Sequence, residues 1–184
     1  MMHRYLTISN VLSASRILIV LPMGFCLVSD FPFHRLWTAG IIIIAVATDF
    51  LDGFFARKLH QVTDLGKVLD PLADKIGIGV YAVLVAWTGD VPVWFVVFII
   101  VRDILIFSGG VYIQRAKKIV PQSNWPGKIA VTLVALVLFL GTIQITMLRS
   151  FFRYAMWASV VMMVWSVATY AQRLFIGRHI ETVK

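Results

Sequence analysis

The chain is poor in charge, cysteine and glutamate, and each shortage narrows what it can be. Charged residues make up 14% of the 184 positions, against roughly 25% in a soluble domain. That excludes an ordinary cytosolic globule. The single cysteine, Cys26, lies inside an apolar run, so no intrachain disulfide can form and a disulfide-stapled scaffold is excluded. A chain so rich in apolar residues is not disordered, and with no low-complexity linker or internal repeat it is expected to form one domain spanning residues 1–184. The acidic side is unusual in kind as well as number: eight aspartates and one glutamate, Glu181, against 17 basic residues.

Apolar sequence fills the space that charge leaves. Hydrophobic residues account for 60% of the chain and the mean hydropathy is +0.87, which points to a membrane protein. At roughly 20 residues per crossing, this length accommodates about six helices. Six apolar stretches are found, at about Val11–Val28, Leu36–Ala56, Leu72–Trp87, Val91–Ile113, Ile129–Leu148 and Phe151–Phe175. The fold class read from them is all-α, a polytopic membrane protein with six transmembrane helices. Turn chemistry separates most of them, as in Ser29-Asp30-Phe31-Pro32, Thr88-Gly89-Asp90-Val91-Pro92 and Pro121–Gly127. Only Arg149-Ser150 divides the last two. Arg4 ahead of an apolar segment looks like a signal peptide, but Arg16 interrupts it and no small-x-small site follows, so an uncleaved first helix is expected.

Six crossings put both ends of the chain on one side. Arg4, Arg57, Lys58, Lys67, Arg115, Lys117, Lys118, Lys128, Arg173, Arg178 and Lys184 share it, and only Arg35, Arg149 and Arg153 face the other. Eleven basic residues against three make the first side cytoplasmic, where they also meet anionic lipid headgroups; nucleic acid is not an expected partner. The membrane expected is the cell membrane (a bacterial inner or plasma membrane), with an organelle inner membrane as the other setting. Trp37, Trp87 and Trp94 flank the opposite loops, as an interfacial aromatic belt does, although each singly reads equally as lipid-facing filler.

Five aspartates fall at or near hydrocarbon depth: Asp49, Asp52, Asp70, Asp74 and Asp103. With Arg16, Lys75 and Arg102 as the only basic residues at that depth, this zone carries a net −2 inside a chain of net +8. Each buried charge costs about 2.5–3.5 kcal/mol on the insertion scale, so an intramembrane carboxylate is a functional candidate by default. Asp49 and Asp52 are spaced i,i+3 and Asp70 and Asp74 i,i+4, so each pair shares one helix face. Four carboxylates brought together near the cytoplasmic surface require either protonation or divalent cations among them. An all-oxygen donor set suits hard ions such as Mg²⁺, Mn²⁺ or Ca²⁺, and two such ions about 3.5–4 Å apart clamp a phosphoryl group. Taken singly, these residues have plainer readings. Asp70 ahead of Pro71 reads equally as a helix N-cap, Asp49 or Asp52 as a bundle-interior hydrogen-bonding residue, Arg57 as a snorkelling cation, and Gly53 or Gly66 as packing glycines.

Together they form a pattern. Asp49-Phe-Leu-Asp52-Gly53-Phe-Phe-Ala56-Arg57, eight residues, then Gly66-Lys-Val-Leu-Asp70-Pro-Leu-Ala-Asp74 meets every fixed position of D-x2-D-G-x2-A-R-x8-G-x3-D-x3-D. This resembles the signature of the CDP-alcohol phosphotransferases. Asn10 and Arg16 are similar to that family's N-terminal segment, whereas Ser9 stands where close relatives often have proline. The resemblance implies that Asp49, Asp52 and Asp70 bind divalent metal (two ions, Mg²⁺ or Mn²⁺, in that family's manner), with Asp74 adding to the metal site and acting as general base. It implies that Asp49, Asp52, Gly53, Ala56, Arg57 and Gly66 form the CDP site. The reaction implied is attack of an alcohol on the β-phosphorus of CDP-diacylglycerol with release of CMP, carried out by a homodimer.

The acceptor is less specified. Phosphatidylglycerophosphate synthases look most similar across Asp49–Leu72, which implies glycerol-3-phosphate. Arg102-Asp103, where that branch usually has Arg-Glu, looks more like eukaryote-type cardiolipin synthases, which implies phosphatidylglycerol. Candidate acceptor-binding residues are Arg102, Lys117, Lys118 and Lys128, with Arg16 and Arg115 beside them; Arg115, Lys117 and Lys118 read equally as a solvated positive-inside run. Adjacent positions do not face each other on a helix, so Asp103 is not automatically the partner of Arg102. Two readings of a different class remain: an intramembrane cation or proton transporter, and a lipid-binding module that keeps the fold. The Gly-x2-Ala-Arg element inside the carboxylate spacing disfavours the first, and the full set of four carboxylates disfavours the second.

Overall fold

A computed structural model of the protein describes residues 8–58, 66–117 and 125–176, with side chains for 18–48, 75–111 and 125–172. All secondary structure among the described residues is helical. Six long helices follow one another: α1 (Ile8–Val28), α2 (His34–Lys58), α3 (Gly66–Trp87), α4 (Val93–Lys117), α5 (Trp125–Ile143) and α6 (Arg149–Ile176). They fall into two compact units. The first holds α1 to α3, the chain up to Val96, and Leu138–Ile145 at the end of α5; the second holds Val97–Val137 and everything from Thr146 onward.

In the first unit, α1 packs against both α2 and α3. The register with α3 is parallel: a Cβ on Gly77 would stand 3.8 Å from Val20, and one on Gly24 would stand 2.9 Å from Leu84 Cδ1. Gly24 therefore marks a close approach of α1 to α3, a use of small residues common between membrane helices. Gly24→Ala is expected to change stability little, because the mobile end of Leu84 can yield and alanine favours the helix by up to about 1 kcal/mol. Gly24→Leu overpacks the contact, with an expected loss of about 1–3 kcal/mol. A thermal melt in detergent checks both, and Leu84→Ala should restore the Gly24→Leu protein.

The ends of these helices are built from the turn residues. Gly89 has φ +78° and closes α3 in a Schellman arrangement: Asp90 N–H reaches the Val85 carbonyl at 3.1 Å and Gly89 N–H the Ala86 carbonyl at 3.1 Å. Between α1 and α2, Ser29 Oγ donates to the Phe25 carbonyl at 2.6 Å and His34 Nδ1 lies 3.1 Å from the Cys26 carbonyl. A polar lock gathers at the same end of this unit. Arg35 grips Asp90 with two nitrogens at 2.8 and 3.1 Å and the Thr142 carbonyl at 3.0 Å. Asp90 also accepts from Thr88 Oγ1 at 2.7 Å and from Gln144 Nε2. Beneath it, the buried Tyr81 hydroxyl and Thr142 Oγ1 are 2.5 Å apart.

In the second unit the buried face of α6 is a seam of Met156, Ser159, Met163, Ser166 and Tyr170, at the alternating three- and four-residue spacing of helix-on-helix packing. Ser159 and Ser166 are completely buried, and Ser159 Oγ satisfies itself on the Met156 carbonyl at 2.7 Å.

Many large apolar side chains point outward in both units, including Leu21, Phe25, Ile44 and Trp87 in the first and Ile104, Trp157 and Trp165 in the second. Such faces suit lipid and would be an aggregation hazard in water. Trp37, Trp87 and Trp94 face outward, as both an aromatic belt and lipid-facing filler require. Among the residues with described side chains, three stretches, Val93–Val111, Trp125–Ile143 and Thr146–Gln172, are long and apolar enough to cross a membrane. Leu18–Val28, His34–Thr48 and Lys75–Trp87 are apolar but shorter within the described side chains.

Several boundaries differ from those read in the sequence. Helix α3 begins at Gly66 rather than near Leu72, so Asp70 stands within the helix and is not its N-cap. Helix α5 begins at Trp125 and ends at Ile143 rather than running to Leu148, because Gln144 turns to φ +52° and places its amide on Asp90. The break expected at Arg149-Ser150 lies instead at Gln144-Ile145, followed by a 3₁₀ turn at Thr146–Leu148, and α6 starts at Arg149.

Candidate active site

The aspartate motif is distributed over two helices of the first unit. Asp49, Asp52, Gly53, Ala56 and Arg57 occupy the last ten residues of α2, and Gly66 opens α3 with Asp70 and Asp74 in its first nine. Their side chains lie outside the described residues, as does the linking segment 59–65. The backbone nevertheless fixes the periodicity: with both segments helical, Asp49 and Asp52 lie on one face of α2, and Asp70 and Asp74 on one face of α3. Both helices pack on α1, and the parallel register of α1 with α3 sets the motif end of α3 toward the N-terminal half of α1, which carries Arg16. Arg35 and its lock lie about 20 Å from Asp49 along α2, by helical rise over fourteen residues. The motif end and the locked end of the unit are thus separate.

Among the residues whose side chains are described, no group of three His, Cys, Asp or Glu could hold a metal. The four motif aspartates lie outside that set, and they are the oxygen-rich donors that a hard divalent ion requires.

The acceptor-site candidates are scattered. Arg102 sits on α4, 7% exposed. Its Nη1 is 2.6 Å from Asp103 Oδ1, and its Nη2 is 3.1 Å from Ser166 Oγ on α6 and 3.5 Å from the Gly127 carbonyl at the start of α5. Its Nε has no hydrogen-bond partner among the described residues. The adjacent Asp103 is a partner after all. Helical neighbours point apart at Cβ, but the long arginine side chain bends back far enough to reach the next residue's carboxylate. Lys128, on the exposed side of α5, lies with Nζ 5.4 Å from the Trp125 ring, a cation–π contact at a position suited to a headgroup boundary. Lys117 ends α4 with its side chain undescribed, and Lys118 lies outside the described residues. Ser166 was not singled out in the sequence, and Gly127 was noted only in its Pro-Gly turn and beside Lys128, in a pair common to both acceptor branches. A serine in an apolar helix ordinarily bonds its own backbone, so nothing local marks Ser166.

The profile of the CDP-alcohol phosphatidyltransferase family matches residues 6–165. The chain belongs to this family. Among curated proteins, the CDP-diacylglycerol--glycerol-3-phosphate 3-phosphatidyltransferase of Bacillus subtilis is 35% identical over 111 residues, 57% of this chain and 58% of that protein. The protein of the same name in Aquifex aeolicus is 33% identical over 135 residues, 72% of this chain and 74% of the relative. The cardiolipin synthase (CMP-forming) of Streptomyces coelicolor is 31% identical over 130 residues, 69% of this chain and 60% of the relative. The chain therefore spans about three-fifths of the Bacillus and Streptomyces relatives. The family match covers the whole aspartate motif on α2 and α3 as well as Arg102 and Lys128.

Proposed function

We propose that this family member transfers the phosphatidyl group of CDP-diacylglycerol to an alcohol, with glycerol-3-phosphate as the acceptor and CMP as the leaving product. The observation that carries the reading is the complete eight-position motif, split between the end of α2 and the start of α3, the next helix, in a chain similar to proteins named for that reaction. In this reading all 184 residues form one membrane domain of six crossings, with α1, α2 and α3 continuing past their apolar stretches to the cytoplasmic surface. A nucleotide pyrophosphate must stay at the water boundary while its acyl chains remain in lipid, and a site at helix ends meets both demands. The basic cytoplasmic segments attract anionic lipids, and the working form is a homodimer in the cell membrane.

Asp49, Asp52, Asp70 and Asp74 would hold one or two divalent cations, Mg²⁺ or Mn²⁺, which supply charge neutralisation at the pyrophosphate. Gly53 lacks a Cβ and lets the nucleotide approach the α2 backbone; Ala56 keeps the next turn slim, and Gly66 shapes the far wall. Arg57 offers a planar fork to a phosphate. Asp74 takes the proton of the acceptor hydroxyl as its oxygen bonds to the β-phosphorus and the bond from that phosphorus to the CMP oxygen breaks. The proton ends on Asp74 and the electron pair on CMP.

A second acceptor, phosphatidylglycerol, is favoured by Arg102-Asp103 and by the similarity to a cardiolipin synthase. Purified protein given CDP-diacylglycerol and each acceptor in turn separates the two: CMP release with glycerol-3-phosphate supports the proposal, and release with phosphatidylglycerol alone reassigns the acceptor. Chelation by EDTA is expected to reduce CMP release to background and added Mg²⁺ or Mn²⁺ to restore it. Turnover that survives chelation would remove the metal from the proposal. No CMP with any acceptor, together with metal-dependent ion flux, would favour the transporter reading.

A further inference from the structure

We propose that Arg102 serves the reaction as a positioning residue that sets the opening turn of α5, and with it Lys128, and not as a ligand of the acceptor. This rests on the phosphatidyl-transfer reading above. The guanidinium is committed inside the second unit. Its side chain is 8% exposed; Nη1 is held by Asp103, and Nη2 is shared between Ser166 on α6 and the Gly127 carbonyl on α5. One planar fork on α4 thus reaches two other helices, and on α5 it touches the residue immediately before Lys128.

The chemistry of the fork matters more than its charge. Asp103 already neutralises the cation at 2.6 Å, which weakens any further pull on an anionic acceptor. The geometry of a guanidinium, with several donors fixed in one plane, is what allows contact with Asp103, Ser166 and Gly127 together; an ammonium has no such fixed spread. Gly127 is buried, so the start of α5 is pinned on its inner side while Lys128 stays on the exposed side against Trp125. Freed from this pin, the opening turn of α5 loses the tie that fixes where Lys128 projects. Ser166 is completely buried and supplies the third anchor, without which the fork can rotate about the Arg102–Asp103 pair.

The test uses the full chain in lipid vesicles, with CMP release followed against each substrate separately and glycerol-3-phosphate or phosphatidylglycerol as acceptor. Arg102→Lys keeps the charge and loses the fork; its acceptor KM is expected to rise about tenfold, with the KM for CDP-diacylglycerol unchanged. Ser166→Ala, a mild change that leaves the charge pair intact, is expected to move the same constant in the same direction by about threefold. Lys128→Ala should weaken acceptor binding in the wild-type background and add little once Arg102 is Lys, because both changes remove the same placement. Independent, multiplicative effects of Arg102 and Lys128 with Ser166→Ala silent would make Arg102 a direct ligand and overturn the proposal. Lowered melting temperatures with both KM values unchanged would reduce Arg102 to a structural brace and overturn it too. If the wild-type protein releases no CMP with either acceptor, the transfer reading itself fails. The Arg102–Ser166 pair is then judged by thermal melts of the single and double variants: coupled losses uphold the pin and additive losses refute it.

Discussion

Replacing Asp74 with asparagine is expected to lower CMP release by about 10²–10⁴-fold, the range contributed by a positioned general base, while CDP-diacylglycerol still binds within a few-fold of the wild-type affinity. Asparagine keeps the size of the side chain and one oxygen, so a role confined to shape or weak ligation would survive. It cannot take up a proton at neutral pH, so the acceptor hydroxyl would have to attack with its proton in place. Asp74 lies one turn beyond Asp70 on the same face of α3, farther from the helix start, which suits a residue that meets the acceptor while Asp70 meets the metal. Asp49→Asn and Asp70→Asn provide the contrast: in the proposed reading each removes a primary oxygen donor and is expected to weaken nucleotide-lipid binding together with turnover. Fluorescent CDP-lipid binding measured beside CMP release distinguishes the two patterns. Loss of binding in Asp74→Asn would move that residue into the primary ligand set and leave the base unassigned.

Arg35→Ala is expected to produce the largest stability loss, about 3 kcal/mol. That lies at the low end of the range for breaking a buried ion pair. The carboxylate side chain of Asp90 is 1% exposed and would stay buried, losing both guanidinium bonds but keeping Thr88 and Gln144. Those two remaining donors are the reason for taking the low end. Asp90→Ala leaves Arg35 behind instead, and at 27% exposure its side chain can recover water, so the expected loss is smaller. The order, Arg35→Ala worse than Asp90→Ala, is the checkable content. Thermal or denaturant melts in detergent decide it; equal losses would mean that the lock contributes through Thr142 and the helix ends more than through the charge pair. Neither change should alter the acceptor preference, since the lock and the aspartate motif stand at opposite ends of α2.

Much of the architecture was legible in composition and turns. Six helices lie where the six apolar stretches do, and Thr88-Gly89-Asp90 closes α3 because only a residue at ease with positive φ completes a Schellman turn. The errors came where local chemistry has two readings. Asp70-Pro71 looks like a helix start because proline suits the first turn, yet α3 begins four residues before Asp70. Gln144 carries no breaker signal; it ends α5 in a left-handed conformation while its amide reaches Asp90, a partner 54 residues away, which no local window contains. Arg102 was visible as a candidate because a charge inside an apolar helix is costly anywhere. Its partners were not, since Ser166 is 64 residues distant and resembles any other serine in a membrane helix.

The sequence by itself determined the family to which this protein belongs. Shortage of charge pointed to a membrane, and eight fixed positions over 26 residues carried the resemblance to the CDP-alcohol phosphatidyltransferase family to which the chain belongs, because residue types at helical spacings are legible without a fold. Tertiary structure alone decided how the remaining charges are used. Arg35 and Asp90 became a lock, and Arg102 became the hub of Asp103, Gly127 and Ser166. A buried ion is tolerated only where several distant groups converge on it, and that convergence is a property of packed helices that no stretch of sequence displays.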